Sequence, residues 1–185
     1  MSKAILVLNA GSSSIKFALF PAEREPERSA LLCEGQCEGI GHRAVLHARG
    51  KVALEKELAE GADHAAALTA LLQWIESRFG KYQLAAAGHR VVHGGAKYSA
   101  PVLIDDAVIA ELTRLAPLAP LHQPHNLRAI AALQRLHPKL PQTACFDLGV
   151  IVQIRNQCGH ALGVRTDRIK EIRLHFIDRT HRAAL

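Results

Sequence analysis

In the stretch NAGSSSIK, Asn9, Ser12, Ser13, Ser14 and Lys16 surround Gly11 in one turn between two apolar runs. Glycine lets a ligand approach the backbone, amide and hydroxyl groups donate hydrogen bonds, and lysine adds a positive charge, a combination suited to a phosphate. The P-loop pattern G-x4-G-K-[ST] is absent, and the residues that follow alternate as a strand does. Asn, Gly and Ser also build ordinary solvated turns, and that reading stands beside the first.

Three further places carry chemistry. In GHRVVHGG, Arg90 could clamp a carboxylate or phosphoryl group with two parallel hydrogen bonds, and Val92 on the same strand face would give an apolar wall. A structural ion pair is the alternative for Arg90. His89 and His93 lie four apart and share a face if the segment is a strand, but no third ligand accompanies them, so no metal is expected there. His122 is displayed in the proline-stiffened connector LAPLHQPHN, and Asp147 ends the run ACFD, where an aspartate either holds Mg2+ or caps the next turn.

The elements that must position these groups follow from periodicity. Residues 5–8 form a continuous apolar run, as in a strand buried on both faces. Ile15, Phe17 and Leu19 alternate with Lys16 and Ala18, as in a half-buried strand, so the chain opens with a β-hairpin. Residues 21–28 read as a loop, and residues 30–33, 44–48 and 52–54 as further strands around a turn at Gly39 and Gly41. Apolar residues from 62 to 78 recur at helical spacing, with Gly80 as a stop. Residues 84–88 read as a central strand that delivers the loop 89–95. Two more helices are expected over 105–115, with Asp105 at its start, and 125–137, opening after Pro124. A short strand over 143–146 follows. Strands alternating with helices define an α/β architecture, which binds ligands at strand ends.

The 185 residues are 49% apolar, enough for one buried core. Four cysteines follow no zinc or disulfide spacing, and reduced thiols are expected. The first apolar run is too short for a signal peptide core or a roughly 20-residue membrane span, so a cytoplasmic protein without membrane partners is expected. Of the formal charge of +6, residues 151–185 hold most, with seven Lys/Arg against three Asp/Glu. A basic tail alone is weak ground for nucleic acid, and none is expected as partner.

The stretches VLNAGSSSIKFALF, GHRVVHGGAKYSAPVLID, LAPLHQPHN and ACFD resemble, in this order, the N-terminal domain of the acetate/propionate kinase family, over about residues 5–147. The resemblance implies the actin-like ATPase fold (acetate and sugar kinase/Hsc70/actin), here its N-terminal domain only, a mixed sheet with helices. It further implies reversible transfer of the ATP γ-phosphoryl group to acetate, giving acetyl phosphate and ADP, with Mg2+ and in a homodimer; propionate or butyrate is the alternative acceptor. By motif, Asn9 would sit at the Mg2+, Lys16, Ser12 and Ser14 near the phosphates, Arg90 on the carboxylate and Val92 against the methyl group. His122 would lie beside the transferring phosphoryl group, and Asp147 matches the family's catalytic aspartate.

In the family, the run ending in that aspartate continues Thr-Ala-Phe-His and leads to a second domain with the adenosine pocket. Here Asp147 is followed by Leu148, Gly149 and Val150, and residues 148–185 show no family pattern. A frameshift or truncation after residue 147 and impaired activity of the 185-residue chain are therefore expected, or else a ligand-binding fragment without turnover.

Overall fold

The computed structural model describes residues 1–23 and 28–146. The opening hairpin is present: β1 (Ser2–Ala10) pairs antiparallel with β2 (Ser14–Pro21) in a register that sets Asn9 opposite Lys16. The meander continues through β3 (Cys33–Glu38), β4 (Val45–Gly50) and β5 (Leu54–Glu57). Strand β5 leads to helix α1 (His64–Phe79), then β6 (Tyr82–Arg90), β7 (Val102–Leu103), α2 (Asp106–Arg114), α3 (Gln123–Leu136) and β8 (Gln142–Cys145). The eight strands form one mixed sheet in the order β5-β4-β3-β2-β1-β6-β8-β7, in which β1, β6 and β8 run parallel.

Sequence chemistry explains the helix starts. The Asp63 carboxylate accepts from the Ala66 amide at 2.8 Å and the Asp105 carboxylate from the Val108 amide at 2.8 Å, each satisfying a donor that has no partner within the helix. Leu68, Leu71, Leu72, Ile75 and Phe79 form the buried stripe of α1. That stripe packs, with Ala129 and Leu133 of α3, on Leu6, Leu8, Phe17, Leu19 and Leu46 of the sheet. Full burial of such side chains contributes about 1.5–3 kcal/mol each. Trp74 meets Phe17 and Phe79 edge-on, at centroid distances of 6.3 and 5.6 Å.

Several expectations are corrected. Strand β2 is not half-buried: beyond Lys16 it is covered on both faces, with Ala18 at 0% and Phe20 at 2% exposure, because these two pack in a second apolar cluster with Ile5, Val7, Ala22 and Leu31. The third strand begins at Cys33, where residues 28–30 have finished a short 3-10 turn, and the fifth runs over Leu54–Glu57, past the predicted 52–54. Helix α3 starts two residues earlier than expected, with Pro124 in its first turn, where a missing amide costs nothing. The sixth strand continues through His89 and Arg90, and the two-residue β7 was not foreseen. Cys33, Cys37 and Cys145 are buried and form no disulfide with one another, as expected of reduced thiols. Burial, with Glu34 beside Cys33 and Glu38 beside Cys37, pushes those thiols up to about 12 and about 11, which leaves them unreactive. Cys158 lies outside the described residues.

Candidate active site

Alternation along the strands sorts the polar groups. On β1, Leu6, Leu8 and Ala10 join the helix-side core, whereas Ile5 and Val7 join a smaller cluster on the opposite face with Ala18, Phe20, Ala86 and Cys145. Asn9, two residues on from Val7, therefore belongs to the second face, as does Lys16, its cross-strand partner. Parallel pairing sets Ile5 beside Ala86 and Leu8 beside His89, so one step further places Arg90 level with Asn9 on that same face. Arg90 is itself in register with Cys145, near the end of β8. The carboxyl ends of β1 and β6 thus bring Asn9, Lys16 and Arg90 to one edge of one face.

No acidic side chain among the described residues pairs with Arg90 or Lys16. Val92 is corrected in place: β6 ends at Arg90, so Val92 is not on the same strand but in the loop beyond it, 39% exposed, with its amide donating to Asn126 Oδ1 at 3.2 Å. His89 and His93 do not share a face. His89 is buried, and its Nε2–H donates to Gln142 Oε1 at 2.7 Å, because an amide oxygen only accepts. Burial pushes its pKa down to about 4, so the ring is neutral. His93 lies beyond the strand, where its Nδ1 accepts from the Gly95 amide at 3.2 Å.

The serine turn is held from behind. The Gly11 amide donates to the Ser14 carbonyl at 2.8 Å, closing the turn, while Ser12 and Ser13 are exposed. His64, the first residue of α1, donates through Nε2 to the Gly11 carbonyl at 2.7 Å, and Asn126 in the first turn of α3 donates through Nδ2 to the Ala10 carbonyl at 2.7 Å. Two helix N-termini, with their partial positive charge, therefore converge behind the turn, which favours an anion in front of it. His122 occupies the N-cap position of α3 and is exposed. Next to it, His125 stacks on His64 with centroids 5.6 Å apart; burial and then the neighbouring His64, Arg128 and His122 lower its pKa. Asp147 lies outside the described residues.

Sequence reasoning passed over His64, Gln123 and Asn126. The last two stand in the quoted motif LAPLHQPHN, but their partners lie 11 to 116 residues away, so no local signal shows what they hold. Among the described residues no group of three His, Cys, Asp or Glu side chains could hold a metal, and no helix is long and apolar enough to cross a membrane.

A central sheet with donor-bearing strand ends, backed by helix N-termini, is shared with solved acetate and propionate kinases, which makes it the N-terminal part of an actin-like ATPase fold. The chain is similar to the structure of a propionate kinase from Francisella tularensis, at TM-score 0.70 and 35% identity, covering 79% of this chain and 37% of that one. It is equally similar in sequence to the Porphyromonas gingivalis acetate kinase structure, at TM-score 0.67 and 35% identity, with the same coverage. The family model described as the Acetokinase family matches residues 4–170. A relative called acetate kinase from Rhodopseudomonas palustris is 52% identical over 150 residues, 80% of this chain and 38% of the relative. One of the same description from Pseudomonas aeruginosa is 44% identical over 147 residues, 79% of this chain and 36% of the relative. The chain belongs to the acetokinase family, and it spans well under half the length of the curated relatives it matches.

Proposed function

We propose that the chain carries the carboxylate- and phosphate-facing wall of an ATP:acetate phosphotransferase site. The observation that supports this reading is the placement of Asn9, Lys16 and Arg90 at one edge of one sheet face with no described counter-charge. In the reaction, an acetate oxygen attacks the γ-phosphorus of ATP, a new P–O bond forms, and the bond to the β–γ bridging oxygen breaks as ADP takes its electron pair. Acetate is already ionised at neutral pH, so no general base is needed. Arg90 binds and orients the carboxylate and Val92 lies against the methyl group. Lys16, Ser12 and Ser14 donate to phosphate oxygens, and His122 stabilises charge on the group in transfer.

The described residues build no metal cage of their own. Asn9, whose side-chain amide oxygen is a hard oxygen donor, would hold a Mg2+ ion brought in with the nucleotide phosphates. When bound, Mg2+ would neutralise charge on the phosphate oxygens. Asp147 is proposed to orient that ion or the phosphoryl oxygens and not to take a proton. Acetate is favoured over propionate by the description of the curated relatives, and the protein is proposed to be cytoplasmic. The boundary is proposed to fall after residue 147, in keeping with pairwise matches that cover about 80% of the chain, although the family model runs to residue 170.

The test is an acetate titration of the 185-residue chain, followed at the amides of residues 90–94. Saturable binding that Arg90→Ala abolishes supports the reading; equal binding by the variant overturns it. In the same reading, hydroxylamine trapping of acetyl phosphate from ATP, Mg2+ and acetate gives little or no product with these 185 residues alone, because one wall neither holds the nucleotide nor excludes water.

A further inference from the structure

The Asn126 side chain uses both ends of its amide on two separate parts of the site. Its Nδ2 donates to the Ala10 carbonyl at 2.7 Å, immediately after Asn9 and before the serine turn. Its Oδ1 accepts from the Val92 amide at 3.2 Å, two residues after Arg90. Asn126 is only 5% exposed, and α3 behind it is fixed by the buried Ala129, Ile130, Ala132 and Leu133. From the same helical turn, Gln123 Nε2 donates to the His93 carbonyl at 3.4 Å and to the Leu112 carbonyl at 3.2 Å, which ties down the loop a second time. His122 stands at the N-cap position of this turn, without a side-chain capping bond.

We infer that Asn126 is a positioning residue that sets the distance between the phosphate-facing turn after Asn9 and the carboxylate-facing segment from Arg90 to Val92. Only a group with a donor and an acceptor on one rigid plane can hold a backbone carbonyl and a backbone amide at once at this reach. An aspartate keeps the acceptor for Val92 but presents a second acceptor to the Ala10 carbonyl, so the turn is pushed away while the loop stays. A leucine of similar volume releases both. In either case each half-site keeps its own ligand groups, and what changes is their separation. The inference rests on the phosphotransferase reading above, because separation matters only to a ligand that spans both halves.

Acetyl phosphate is such a ligand, whereas acetate and inorganic phosphate each occupy one half. The test measures the binding of all three probes to the 185-residue chain and to Asn126→Asp and Asn126→Leu, by amide shift titration. The expected result is a loss of acetyl phosphate affinity on the order of tenfold or more, with acetate and phosphate each held within about threefold, since misplacement penalises the doubly anchored ligand alone. A merely structural role lowers all three affinities together, or lowers the melting temperature and leaves their ratios unchanged, and either result overturns the inference. If Asn126→Leu fails to fold, Asn126→Asp carries the test, with faster hydrogen exchange expected at residues 9–14 and protection retained at the Val92 amide. If the unaltered chain binds none of the three probes, the phosphotransferase reading falls and this inference with it; unaltered-chain binding with unchanged ratios in the variants overturns this inference alone.

Discussion

His64 Nε2 lies 2.7 Å from the Gly11 carbonyl, so the first residue of the first helix grips the turn that the first two strands make, 53 residues earlier in the chain. The contact fixes the serine turn from its far side and leaves its front free. His64→Phe keeps a ring to stack on His125 but removes the donor. The expected cost is about 1 kcal/mol of stability, the usual net value of one such hydrogen bond. Faster hydrogen exchange at the Gly11 amide, whose bond to the Ser14 carbonyl closes the turn, is the local readout.

Stability should depend on pH through His89. Its folded pKa, about 4, lies below the ordinary value of 6.5, so the unfolded chain binds the extra proton first. Stability from this group is fully present above about pH 6.5 and is lost as pH falls from there towards 4, by at most about 3 kcal/mol. Urea midpoints at pH 7.5 and 4.5 measure the loss. In His89→Leu the part of the pH dependence between those values that belongs to this ring should vanish, even though the variant is less stable at pH 7.5.

Gly35 is where β3 passes closest to its neighbours. A Cβ there would sit 2.1 Å from the His47 carbonyl oxygen and 2.7 Å from the Phe17 ring, so Gly35→Ala should destabilise by about 1–3 kcal/mol or more. Gly41 has open space around it but a φ of +88°, so Gly41→Ala should cost only roughly 1–2 kcal/mol, from backbone conformation alone. Thermal melts of the two variants side by side check the order.

Arg90→Lys should keep the charge and lose the paired, planar donors. Carboxylate binding to the chain is expected to weaken by about tenfold or more, with the melting temperature little changed because no described residue pairs with the guanidinium. Acetate titration of both forms is the measurement.

The hairpin, the three helices and the central strand were legible because each is announced locally, by alternation, by a buried stripe or by a capping aspartate such as Asp63. The errors have physical causes. Ala18 reads as a partly exposed position because alternation does not reveal the second apolar cluster that covers the other face of β2. Pro124 reads as a boundary because proline is tolerated in a first turn as well as before one. Arg90 and Asn9 were singled out by type, but their shared face depends on parallel pairing across some eighty residues, and Asn126 reaches 116 residues back to Ala10. Polar groups that bond to distant backbone leave no mark in sequence spacing.

The central place of β1 also sets a timetable. Its partner on one side, β2, follows after a three-residue turn, but its partner on the other, β6, begins at Tyr82. At a ribosomal rate of about 5–20 residues per second, roughly eighty residues take on the order of ten seconds to appear. Throughout that interval the apolar strand Ser2–Ala10 has one open backbone edge in the nascent chain, a template for pairing with another strand of any origin. Slower decoding between codons 11 and 82 should therefore increase the demand for chaperones and the aggregated fraction, without any change in the amino-acid sequence.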